Sequence, residues 1–79
     1  MNKWLKYVKR LRKKEQIRLL ETVGSIMNGQ IKTLDIKKLC GYLNLYRVRV
    51  GRYRIVFEVQ GEQNAIIKID NKDDHTYDL

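Results

Sequence analysis

The chain has 79 residues, 43% hydrophobic and 33% charged, without proline, which suffices for one domain over residues 1–79 around one core and excludes a second or a disordered chain. Seventeen Lys and Arg against nine Asp and Glu give a formal charge of +8, an excess that repels itself unless a polyanion offsets it. Nucleic acid is the first partner this suggests; an anionic membrane surface or an acidic protein satisfies the same sign.

The amino-terminal residues lack the apolar run of a secretion signal or a membrane span, so the expected location is the cytoplasm, with no membrane association. From Trp4 to Leu11 the apolar residues Trp4, Tyr7, Val8 and Leu11 recur at helical spacing, and Lys3, Lys6, Lys9, Arg10, Arg12, Lys13 and Lys14 take the other sides. The spacing predicts an amphipathic helix whose basic back reads as a solvated face able to extend phosphate contacts. A second stripe, Leu19, Leu20, Val23, Ile26 and Met27, ends at Asn28-Gly29, a helix stop. A bend near Lys13-Lys14 lets both stripes face one core; an unbroken helix to Met27 is the alternative, since no breaker separates them.

Residues 30–44 carry mixed signals and read as a connector, with Leu34, Ile36 and Leu39 as anchors and Gly41 as a turn. Within it lies Cys40, the one cysteine of a chain with one histidine. It reads as a buried or bystander thiol rather than a metal ligand or nucleophile, and no metal or cofactor is expected.

Thereafter the apolar period is two. Leu45 to Val50, Tyr53 to Val59 and Ala65 to Asp70 read as three antiparallel strands in a meander, separated by Gly51-Arg52 and by residues 60–64. The expected fold is α+β, two amino-terminal helices packed on a three-stranded antiparallel meander. Gly51 opening a two-residue loop suits a type II′ turn, which sets Val50 opposite Tyr53 and therefore Arg49 opposite Arg54, Val48 opposite Ile55, Arg47 opposite Val56 and Tyr46 opposite Phe57. One face then carries Tyr46, Val48, Val50, Tyr53, Ile55, Phe57 and Val59 towards the helices, and the other collects Arg47, Arg49 and Arg54. If Val59 faces Ala65, Ile67 and Ile69 join the core, Lys68 lies beside Val56 and Asp70 beside Arg54.

An antiparallel sheet with one solvated face places charges there without any function. Like charges directly opposite are unfavourable, however, and residues 45–54 hold four Arg and no acid. Planar bidentate donors of this kind hold phosphates, so Arg47, Arg49, Arg54 and Lys68 read as an RNA-binding wall. Cleavage of RNA by its own 2′-hydroxyl needs stabilisation of the phosphorane, which the arginines supply, and a base that an arginine is too weakly acidic to be. Lys68, Lys72, His75, Tyr77, Asp70 and Asp74 are the available groups, most of them in a tail that reads equally as a solvated acidic end.

The string Lys38-Leu39-Cys40-Gly41-Tyr42 followed by Leu45-Tyr46-Arg47-Val48-Arg49-Val50-Gly51-Arg52-Tyr53-Arg54-Ile55-Val56-Phe57 resembles the RelE/ParE toxin superfamily, and its RelE-like branch in particular. The resemblance implies the toxin of a type II toxin-antitoxin pair, an endoribonuclease that enters the ribosomal A site, cuts mRNA without a metal and inhibits translation. It also implies a cognate RelB-like antitoxin whose acidic or amphipathic segment wraps the toxin. By position, Arg47 and Arg49 match the basic residues of the first hairpin strand and Arg54 the arginine that contacts the scissile phosphate. Lys72 stands about where the last family arginine occurs, and Tyr77 resembles the base-stacking tyrosine near the carboxy terminus, offset by about one residue; His75 is a further catalytic candidate.

Two departures accompany it. Members begin with a β-strand before the first helix, whereas this sequence begins within that helix, so the first strand reads as missing: a short form, a late start, or an edge completed by a partner. Asp73-Asp74 adds negative charge where RNA would pass. Two other functions remain open, a ParE-like DNA gyrase inhibitor and a degenerate, non-catalytic module that binds RNA or antitoxin.

Overall fold

In a computed structural model, residues 2–71 are described. Helix α1 spans Lys3–Lys9 and α2 spans Lys13–Met27; strands β1 Asp35–Lys38, β2 Leu45–Val50, β3 Tyr53–Gln60 and β4 Gln63–Asn71 follow. The strands form an antiparallel sheet in the order β1-β2-β3-β4, and both helices pack on it from one side, against β4 and β2. None of the described helices is long and apolar enough to cross a membrane.

The helices are separate, and the break falls at residues 10–12, just before the lysine pair where the bend was expected. Asn2 caps α1, its Oδ1 accepting from the Leu5 N–H at 2.8 Å. The Gln16 side chain closes the joint, donating from Nε2 to the Leu11 carbonyl at 2.7 Å and to that of Lys9 at 3.3 Å. These carbonyls lie where a helix end leaves acceptors without partners. At the far end α2 stops where expected, at Asn28 and a left-handed Gly29 (φ 74).

Val8, Leu19, Val23 and Ile26 from the helices cover Val48, Val50, Tyr53, Ile55, Phe57 and Ile69 of the sheet. Full burial of side chains such as Phe57 and Ile55 stabilises the fold by about 1.5–3 kcal/mol each. Tyr46 stacks on its cross-strand partner Phe57 with centroids 5.6 Å apart, and Tyr7 meets Tyr53 edge to face at 6.3 Å. The apolar stripe of α2 is narrower than expected: Leu20 and Met27 are exposed, because the sheet covers only the arc centred on Leu19, Val23 and Ile26.

The hairpin has the expected register throughout, Val50 opposite Tyr53 to Tyr46 opposite Phe57. Gly51 has φ 59 and Arg52 does not have positive φ, as a type II′ turn demands and a type I′ turn forbids. The second loop differs from expectation. It is equally tight, Gly61-Glu62 with Gln60 opposite Gln63, so Val59 faces Asn64 instead of Ala65.

Continued unbroken, that register would turn Lys68 inward and Ile69 outward. A bulge between Val56 and Phe57 shifts it by one residue, restoring Val56–Lys68, Ile55–Ile69 and Arg54–Asp70. Ile67 is the residue spent on the bulge. It is exposed, contrary to the expectation that it joins the core, and Ile66 packs against the core in its place.

The other correction is β1, read from sequence as connector, which makes the sheet four-stranded. Three of its four residues are charged, a composition depleted in strands. Its formation depends on the open edge of β2, with Ile36 opposite Val48 as its inward contact, and its lysines suit an edge strand.

Candidate nucleic-acid interface

Opposite the helices, the sheet arranges its charges in two cross-strand ranks. One runs Asp35, Arg49, Arg54, Asp70 from β1 to β4; the next runs Lys37, Arg47, Val56, Lys68. Arg47, Arg49 and Arg54 thus share a face, as the turn geometry required. The repulsion between facing Arg49 and Arg54 is relieved from outside by an acid on each edge strand. Arg49 Nε lies 3.7 Å from Asp35 Oδ2, and Arg54 Nε lies 3.4 Å from Asp70 Oδ1. Residues 45–54 hold no acid, but their neighbours in space do.

The two pairs differ in kind. Side chains of Arg49 and Asp35 are 53% and 58% exposed, so water screens their attraction; those of Arg54 and Asp70 are 8% and 15% exposed. Asp70 Oδ2 also meets Lys68 Nζ at 3.2 Å, so one carboxylate holds two cations. Its Oδ1 is buried and accepts no hydrogen bond, which makes the contact with Arg54 one of charge. Arg54 and Val56 are buried on this face, which is therefore solvated only in part.

Arg47, Arg49 and Arg54 line a groove of about 520 Å³ whose other wall is Lys37, Lys38, Leu39 and Cys40. Lys68, expected in the same wall, shares the face but is drawn to Asp70 and does not line the groove. Lys37 and Lys38 were missed because β1 was not recognised. The available signal was the single inward Ile36 between charged residues, too short a pattern to identify a strand. Cys40 is exposed at the groove edge, not buried. Among the described residues there is no group of three or more His, Cys, Asp or Glu placed to hold a metal ion. Lys72, His75 and Tyr77, with Asp73 and Asp74, lie outside the described residues.

Lys37, Arg47, Arg49, Arg54 and Lys68 against Asp35 and Asp70 leave this face positive, with exposed Arg49, half-buried Arg47 and buried Arg54 presented to one groove. Such an array can hold consecutive phosphates of a polyanion and stabilise negative charge developing on one of them.

No protein-family model matches the chain. It is similar to Toxin RelE3 of Methanocaldococcus jannaschii, 46% identical over 52 residues that make up 66% of this chain; the match spans 58% of that protein's length. Its fold is similar to a chain of the crystal structure of the RelB-RelE antitoxin-toxin complex from Methanococcus jannaschii, with a TM-score of 0.66 and 32% identity over 89% of this chain and 85% of that one. With 32% identity to a chain of that complex, 85% of it covered, and a shared fold, the chain belongs to the RelE toxin family.

Proposed function

We propose that the protein is the toxin of a type II toxin-antitoxin pair, a ribosome-dependent endoribonuclease that cleaves mRNA and so inhibits translation in the cytoplasm. The observation that carries this reading is the groove itself, in which Arg47, Arg49 and Arg54 from two adjacent strands converge on one space. A RelB-like antitoxin with an acidic segment is the expected protein partner; its charge complements the groove, and the similar solved structure is a RelB-RelE complex.

In the reaction, the ribose 2′-oxygen attacks the adjacent phosphorus and the bond to the 5′-oxygen breaks, giving a 2′,3′-cyclic phosphate and a 5′-hydroxyl. Arg54, held by Asp70, and the freer Arg49 and Arg47 neutralise the charge that accumulates on the phosphorane oxygens. Asp70 and Lys68 are engaged with one another and Asp70 also with Arg54. This leaves Lys72, Asp74, His75 and Tyr77 as the groups to test for moving the proton and positioning the base, with no metal in the scheme.

The test is cleavage in a translating extract, mapped by primer extension. Wild-type protein is expected to cut at the codon in the A site, and Arg54→Ala to abolish the cuts while remaining folded. Folded wild-type protein that makes no cuts refutes the reading, and inhibition of gyrase supercoiling by that same protein would put a ParE-like function in its place.

A further inference from the structure

The groove does not end at its cationic wall. Lys38, Leu39 and Cys40 also border a second, more open cavity of about 450 Å³, completed by Gly41, Tyr42 and Leu43. The two spaces therefore share a rim, one side cationic and the other offering an aromatic ring and an aliphatic side chain. Tyr42 is 45% exposed and Leu43 is 85% exposed, and neither belongs to the core or to the side chains packed against it.

Fraying does not account for that exposure, because backbone hydrogen bonds pin the turn. The Leu39 N–H donates to the Leu45 carbonyl at 2.9 Å, the Tyr42 N–H to the Leu39 carbonyl at 3.3 Å, and the Val59 N–H to the Asn44 carbonyl at 2.9 Å. Gly41, at φ 86, supplies the left-handed residue that folds the chain back. Two apolar side chains are thus held in water at the end of a phosphate-sized array of cations. Single-stranded nucleic acid is recognised by that combination, a charged track for the backbone and an exposed π-face for a base.

We propose that the turn from Leu39 to Leu43 is a nucleobase subsite, in which Tyr42 and Leu43 take the face of a base whose neighbouring phosphate lies at Arg47 and Arg49. The inference rests on the reading of the groove as an RNA site and adds to it the place of a base. The subsite is sequence-tolerant, since every base has a face to stack, and it contributes affinity separate from the phosphate contacts.

Binding of a fluorescein-labelled 2′-O-methyl RNA oligonucleotide tests it, because that probe lacks the attacking hydroxyl and reports binding without cleavage. Inorganic polyphosphate, a polyanion without bases, is the second probe. Tyr42→Ala combined with Leu43→Ser is expected to weaken RNA binding about tenfold and to leave polyphosphate binding unchanged, whereas Tyr42→Trp with Leu43 retained binds RNA at least as well as wild type. Arg49→Ala weakens both probes.

Unchanged RNA binding by the double variant overturns the subsite, as does an equal loss of both probes, which would mean the turn only shapes the groove. Wild-type protein that binds polyphosphate and RNA equally, per phosphate, also overturns it. RNA binding that depends on Tyr42 in a protein making no cuts in translating extract leaves the subsite standing and refutes the ribonuclease reading.

Discussion

Replacing Asp70 by asparagine keeps the side-chain volume and an acceptor oxygen, and removes the charge that Arg54 and Lys68 share at 3.4 and 3.2 Å. A well-buried ion pair that loses one partner costs about 3–5 kcal/mol, while an exposed one is worth about 0–1 kcal/mol. Arg54 is 8% exposed and Asp70 15%, but Lys68 is 27% exposed, and the Arg54 contact lacks a hydrogen bond at Oδ1. The expected loss therefore lies between the two limits, at about 2 kcal/mol, or on the order of 8–16 °C in Tm for a domain of this size.

Asp35→Asn provides the matched comparison. It sits in the same rank at the other edge of the sheet, but its pair with Arg49 is longer, 3.7 Å, and more than half exposed; its loss is expected to change stability by no more than about 0.5 kcal/mol. Each variant raises the net charge by one unit, so long-range attraction to RNA increases alike in both and stability alone separates them. Thermal melts and urea titrations of the wild type and the two variants measure the difference. Asp70→Asn and Asp35→Asn melting within about 2 °C of each other would refute the argument that burial, with Lys68 as a second cation, makes Asp70 the structural partner of the arginine wall.

Gly51→Ala is expected to cost about 1–2 kcal/mol, read as a lower urea midpoint, because Gly51 sits at φ 59 where a Cβ is disfavoured; the added carbon would also lie 3.1 Å from Arg18 Nη1, which is a side-chain end free to give way. Tyr53 has its pKa raised above the ordinary 10.0, first by burial and then by its hydrogen bond to Glu15. With the folded pKa the higher one, the contribution is fully present below about pH 10 and is lost as pH rises through the folded value. Melts from pH 8 to 11 are expected to show a steeper alkaline loss in wild type than in Tyr53→Phe, and parallel curves would refute the assignment.

The hairpin was legible in sequence because its determinants are local. A glycine at the first position of a two-residue loop admits one turn family, the turn fixes the register, and the period of two then decides which side of the sheet each residue meets. Arg47, Arg49 and Arg54 follow from those steps without knowledge of anything distant, and Ile55, Phe57 and Val48 follow as core in the same way. The helix pair was legible for a similar reason, though the joint depends on Gln16 reaching back to the carbonyl of Leu11, a contact no periodicity reveals.

What only the tertiary structure decided lies at the edges of the sheet. Strand β1 forms from Asp35, Ile36, Lys37 and Lys38 because β2 offers an unpaired edge, and with it come the acid that balances Arg49 and the lysines of the second groove wall. The bulge in β4 is a compromise between a tight turn at Gly61-Glu62 and the burial of Ile69, two demands that conflict only once the strand lies against its neighbour. Local sequence determined which arginines share the cationic face; pairing between distant segments added the lysines of β1 and decided which cations are held, which are presented, and what closes the groove around them.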